Sequence, residues 1–177
     1  MVRYANRGKW FEQAIEQANN VYKRKNMAIV DKIATPINYN PKTKKAFYEN
    51  KSTVDFIGCD FNGKMIAFDA KEVSSKSLPL ANIKRHQIDY LSSVNKLGAD
   101  AFFLVFFKYE NLCFKLDIND FLIFQKTANR KSIPLEWLKK NTRKVVSKNG
   151  CMFDYLWLFD IIIPNTCFTH CVITLSL

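Results

Sequence analysis

An α/β fold around a mixed central sheet is the expectation for this 177-residue chain, and three observations lead to it. An amphipathic stretch near the N-terminus is followed by strand-like runs, a second helical stretch and further apolar runs, an order that sets helices about a sheet. The run Ala101-Phe102-Phe103-Leu104-Val105-Phe106-Phe107 is apolar throughout, as a strand covered on both faces would be. Asn62-Gly63 lies between two other strand-like runs and is a strong hairpin signal, because both residues tolerate positive φ.

Each element has its own justification. Residues 8–23 repeat Phe11, Ala14, Ile15, Ala18 and Tyr22 at helical spacing, with Glu12, Glu16 and Lys23 between them. Met27-Ala28-Ile29-Val30 reads as a short core strand. Residues 35–51 change character, with Pro36, Asn38, Asn40, Pro41, Lys42, Lys44 and Lys45 making a polar, basic, turn-rich segment. It is too long for a tight hairpin, so it is expected to project, as a substrate-touching arm or as a solvated loop. Ser52-Thr53-Val54-Asp55-Phe56 and Met65-Ile66-Ala67-Phe68-Asp69-Ala70-Lys71-Glu72 are the strands that the Asn-Gly turn joins. Residues 80–97 predict one helix, closed by Gly98. Leu112-Cys113-Phe114-Lys115-Leu116 is the expected hairpin partner of 101–107. Short helices are expected at 117–124 and 134–140.

Composition narrows the function classes. Hydrophobic residues make up 48% and aromatic residues 14%, which excludes a disordered chain and gives one domain a real core. Lys and Arg number 27 against 16 Asp and Glu, so the net charge is +11 and a polyanionic partner is favoured. Five cysteines without a CxxC pair, and a start without an apolar run, are read as reduced thiols in a cytoplasmic protein. With two histidines, a zinc site is not expected; Cys167, His170 and Cys171 lack a fourth partner. From Tyr155 onward the chain is strongly apolar, but Asp160 and Pro164 interrupt it, against the ~20 apolar residues of a membrane span. Residues 161–177 are left as a tail of unknown role: a terminal strand, a patch covered by a partner, or a read-through segment.

The chemistry concentrates at Asp55 and at Asp69-Ala70-Lys71. Successive strand side chains point to opposite faces, so Asp69 and Lys71 share one face and Ala70 and Glu72 the other. If the two strands pair, Asp55 joins the first set. Two carboxylates suit Mg²⁺, which prefers oxygen ligands, and the Ala70 carbonyl offers a third oxygen. Lys71 would orient the attacking water or stabilise charge on the phosphorus, the requirements of phosphodiester hydrolysis. Glu72 could exchange roles with Asp69 if the strand bulges. In the following helix Ile83, Gln87, Leu91 and Val94 share a face, so Gln87 is a polar residue in an apolar stripe. It would either face the motif carboxylates or bond to backbone as a core glutamine. Thr53 shares a strand face with Asp55 and could bond a ligand water.

These motifs, with Asn6-Arg7-Gly8, Phe11-Glu12, Ser77-Leu78-Pro79-Leu80 and His86-Gln87-Ile88, come in the order and approximate spacing of the RecU family. The chain resembles these Holliday junction resolvases over roughly residues 6–160. The resemblance implies a restriction-endonuclease-like, PD-(D/E)xK nuclease fold, a mixed central sheet flanked by helices, with 1–160 as the nuclease domain. It implies a homodimer that binds four-way DNA junctions and nicks opposing strands with Mg²⁺ or Mn²⁺, in company with recombination proteins. By matching motifs, Thr53, Asp55, Asp69 and Gln87 correspond to metal-site residues, Lys71 to the transition-state stabiliser, and Glu12 to an acidic position that assists. Residues 35–51 correspond to a stalk that enters the junction, here shorter, and Asp69 stands where the family usually has Glu. Arg7, Lys42, Lys44, Lys45, Lys84 and Arg85 are the candidate phosphate contacts. A nuclease of the same type acting on flap or linear DNA, or a non-catalytic DNA-binding protein, are the competing readings.

Overall fold

The computed structural model describes residues 8–34, 37–41, 43, 45–48 and 53–156. Helix α1 (Lys9–Arg24) precedes strand β1 (Ala28–Lys32), then β2 (Ile37–Asn40), β3 (Lys45–Tyr48), β4 (Phe56–Asp60), β5 (Met65–Val73) and β6 (Ser77–Pro79). A single 3₁₀ turn, Leu80–Asn82, leads into α2 (Arg85–Lys96), β7 (Asp100–Phe107), β8 (Leu112–Asp117) and α3 (Ile118–Thr127). Strand β9 (Ser132–Pro134), α4 (Leu135–Asn141), β10 (Arg143–Lys148) and β11 (Cys151–Asp154) complete the described chain.

Seven strands form one mixed sheet in the order β1-β4-β5-β7-β8-β10-β11, with β5 and β7 parallel and the other neighbours antiparallel. The expected α/β class holds. Its centre is β7, whose residues alternate between two cores. Phe103, Val105 and Phe107 pack under α2, α3 and α4, and Phe102, Leu104 and Phe106 pack under α1. Burial on both sides is why that run has no polar residue. The same alternation sorts β5. Ala67 and Val73 lie on the α2 face and Ile66 and Phe68 on the α1 face, so Asp69 and Lys71 belong to the α2 face.

Three expectations need correction. Strand β4 starts at Phe56, so Thr53 and Asp55 lie in a bend before it rather than within a strand. The continuous helix expected over 80–97 is broken at Ile83 and Lys84, both extended, because Ile83 turns its side chain into the core at 6% exposure. Helix α2 therefore begins at Arg85 and ends where expected, with Gly98 at φ 95 donating its N–H to Asn95 O. Within 35–51, β2 and β3 pair as an antiparallel hairpin, Ile37 opposite Tyr48, hydrogen-bonded to no strand of the main sheet. The length of the segment argues against a tight hairpin, but two four-residue strands pair within it. Strands β10 and β11 carry no clear sequence signal, since β10 exposes five of its six residues.

Gly58 shows how closely the sheet edge is packed. A Cβ there would lie 2.0 Å from Ile29 O and 2.6 Å from the Val30 Cα of the neighbouring β1. At the other end, Tyr22 donates to Asp154 Oδ1 at 2.9 Å and accepts the Tyr155 N–H at 3.0 Å, fastening the chain after β11 beneath α1.

Candidate active site

Pairing of β4 with β5 sets Phe56 opposite Phe68, one step before Asp55 and Asp69 meet. Asp55 is held from two directions. Its backbone carbonyl accepts the Ile33 N–H at 2.8 Å, and its Oδ2 accepts the Ala70 N–H at 2.9 Å. Asp69 is fully buried on β5. Its Oδ1 faces the Lys71 ammonium in an ion pair without an aligned hydrogen bond, and its Oδ2 accepts from Gln87 Nε2. The β5–β7 register runs unbroken from Ile66 to Val73, so no bulge swings Glu72 into the place of Asp69.

The broken helix gives Gln87 its role in the packing. As the third residue of α2 it accepts the Lys84 N–H through Oε1 at 2.9 Å, closing the helix start. The same oxygen accepts from Lys71 Nζ at 3.2 Å. Both of these partners are donors, so the oxygen must point to them and the NH₂ to Asp69. Both readings of Gln87 thus hold together: one end bonds backbone, the other a motif carboxylate.

Burial pushes the Asp69 carboxyl up to about 7, against the opposing pull of Lys71; the Asp55 carboxyl adds to the rise by its charge and a shared hydrogen bond. A buried acid crowded by a second acid is under-compensated by one lysine, which is the electrostatic condition for a hard divalent cation. Among the described residues no three His, Cys, Asp or Glu side chains are grouped to hold a metal. A site here would therefore rest on two carboxylates with main-chain or water oxygens, a set that suits Mg²⁺ better than zinc.

A family model described as Recombination protein U matches residues 6–161. The chain belongs to the RecU family. The Holliday junction resolvase RecU of Mycoplasmopsis pulmonis is 34% identical over 158 residues, covering 89% of this chain and 96% of that protein. The Holliday junction resolvase RecU of Streptococcus mutans is 33% identical, covering 93% and 87%. The solved structure of Hjc, a Holliday junction resolvase from Archaeoglobus fulgidus, aligns at TM-score 0.44 and 10% identity over 71% of this chain and 92% of that chain. So slight a structural likeness assigns nothing.

In this RecU chain the structure brings Asp55, Asp69, Lys71 and Gln87 together and leaves other expected residues elsewhere. Thr53 is exposed in the bend. Glu12 is engaged by Lys32 Nζ at 2.7 Å on the α1 face, and Glu16 lies 3.2 Å from the same ammonium. The hydrogen bond that Lys32 donates to Glu12 raises the pKa of the lysine. Lys32 itself gave no sequence signal, yet it ties α1 to the end of β1, next to the Ile33 N–H that holds Asp55. Lys84 and Arg85 are exposed at the start of α2, Lys84 Nζ on Ala81 O at 2.8 Å and Arg85 paired with Asp89. Arg7, Lys42 and Lys44 lie outside the described residues, as do residues 157–177, and Lys45 begins β3. Among the described residues no helix is long and apolar enough to cross a membrane.

Proposed function

We propose that this chain is a Holliday junction resolvase, a crossover junction endodeoxyribonuclease that hydrolyses phosphodiester bonds at four-way DNA branches in recombination and repair. The convergence of Asp55, Asp69 and Lys71 at one place on the α2 face, in a RecU chain, is the observation that carries this reading. Asp55 and Asp69, with the Ala70 carbonyl, would hold Mg²⁺ or Mn²⁺. When bound, that cation neutralises phosphate charge and lowers the pKa of water at the reacting centre.

The remaining work falls to protein side chains. Lys71 donates to the phosphate oxygens as negative charge builds on them. Gln87 keeps the Lys71 ammonium beside Asp69 through its two ends. Glu12 enters only through Lys32, which steadies the β1 segment behind Asp55. Thr53, exposed in the bend two residues before Asp55, would bond a water there. The hairpin over 37–48 acts as the stalk, and Arg7, Lys42, Lys44, Lys45, Lys84 and Arg85 contact phosphates without reading bases. A four-way junction has two-fold symmetry, so paired nicks call for a homodimer with one such site per subunit.

A competition assay in Mg²⁺ tests this. A four-way junction offered beside equal linear duplex and flap DNA should be cut first, at symmetric positions. Asp69→Asn should abolish cutting while junction binding holds or tightens, since one negative charge near phosphate is lost. Preferential cutting of flap or duplex would move the substrate assignment to a different DNA. Full cutting by Asp69→Asn would remove the nuclease site from these residues.

A further inference from the structure

Glu72 follows Lys71 along β5 and so belongs to the opposite, α1 face, where it lines a recess of about 410 Å³ with Trp10, Phe106, Lys108 and Asn111. That volume falls within the ~300–1,000 Å³ common for small-ligand sites. Two features show that the recess is suited to a ligand. The Trp10 indole is 49% exposed yet rests on a bed of rings, 5.5 Å from Phe106 and 6.2 Å, edge-on, from Phe153. Phe11 packs 5.2 Å from each of those two rings and backs the bed from the core. The Glu72 side chain is only 13% exposed, and its one charge partner among the described residues, Lys108 Nζ, stands 3.9 Å away, at the limit of an ion pair. Among the described residues no hydrogen bond reaches this carboxylate. Its oxygens are not among the buried unpaired atoms of the described residues, so they meet solvent and are available to accept from a ligand.

We propose that the recess holds one unpaired nucleobase of the bound DNA, stacked on Trp10, with its exocyclic amine donated to Glu72 and an adjoining phosphate beside Lys108. This rests on the nuclease reading and adds a base-discriminating contact to it. A stacked base needs a flat ring face, which Trp10 offers, and a carboxylate is the acceptor proteins use for a base amine. Asp69 belongs to the α2 face and the recess to the α1 face, so the base belongs to a nucleotide on the other side of the sheet from the cut phosphate. An acidic ligand would be repelled by Glu72, and a purely apolar one would leave its carboxylate without a donor. An arginine from a protein partner could stack and pair in the same place, but Lys108 and the net charge of +11 oppose it. Thymine, the DNA base without an exocyclic amine, is the poorest occupant.

The test reads tryptophan fluorescence in EDTA, with short single-stranded oligo-dA, oligo-dC and oligo-dT and an arginine-rich peptide of equal length. Oligo-dA and oligo-dC should quench the native protein and bind at least about fivefold tighter than oligo-dT, a discrimination within the range of a good base contact. Trp10→Phe should remove the quenching, and Glu72→Leu should remove the preference while quenching persists. Circular dichroism of each variant confirms its fold. Equal response to oligo-dT, quenching that survives Trp10→Phe, a preference that survives Glu72→Leu, or tighter binding of the peptide would each overturn the proposal. Because no cleavage is involved, failure of the native chain to cut junctions would count against the nuclease reading alone.

Discussion

Gln87 is the residue on which the site's order depends, because one amide holds Asp69, Lys71 and the first turn of α2. Groups that orient a ligating side chain commonly cost 10–100-fold when removed, so Gln87→Ala should lower Mg²⁺ affinity or cutting rate by about that factor. Metal titration and single-turnover rates check it; a variant cutting at the native rate would leave Gln87 as packing only. Asp69 predicts a pH effect. Its carboxyl ionises near 3.8 when unfolded and at about 7 in the folded, metal-free protein. A raised folded pKa contributes stability that is complete below about pH 4 and is lost as pH rises through 7. Melting in EDTA should therefore show a native-minus-Asp69→Asn difference that favours the native protein more at acidic than at alkaline pH. No change in that difference between about pH 5 and pH 8.5 would contradict a buried, proton-holding Asp69.

Strand pairing decides whether Asp55 reaches Asp69 at all. β1 supplies the Ile33 N–H that fixes Asp55, and β1 lies against β4 only because Gly58 has no side chain. Gly58→Val should cost about 1–3 kcal/mol in denaturant unfolding, the usual penalty of overpacking, and reduce cutting more than binding. An unchanged midpoint would show that β1 can move aside freely. The opposite end of the sheet depends on Tyr22, whose hydroxyl serves both Asp154 and the Tyr155 N–H. Tyr22→Phe leaves two buried partners unsatisfied and should destabilise by about 1–3 kcal/mol, read in the same unfolding measurement.

A net charge of +11 makes DNA binding strongly dependent on salt. Lys84 and Arg85 are exposed where α2 begins, near the Gln87 contact, and their surface pairings add little to stability. Replacing both with Ala should leave the melting temperature almost unchanged. It should flatten the log–log salt slope of junction binding by roughly 1 for each phosphate that is no longer neutralised. An unaltered slope would place the DNA elsewhere on the surface.

Local pattern was enough for helices α1, α3 and α4, for the buried strand β7 and for the sharing of one face by Asp69 and Lys71, because backbone geometry imposes the periods of 3.6 and 2 wherever a chain folds. Contacts between distant segments were not legible in that way. The break at Ile83 follows from a core that draws its side chain inward, and it moves Gln87 from mid-helix to a helix start. Lys32 comes to lie beside Glu12 through the packing of α1 on β1, and Glu72 faces Trp10 because the sheet brings two remote stretches of chain to one recess. Such meetings depend on which surfaces bury one another, and a linear pattern of residue types leaves that choice open.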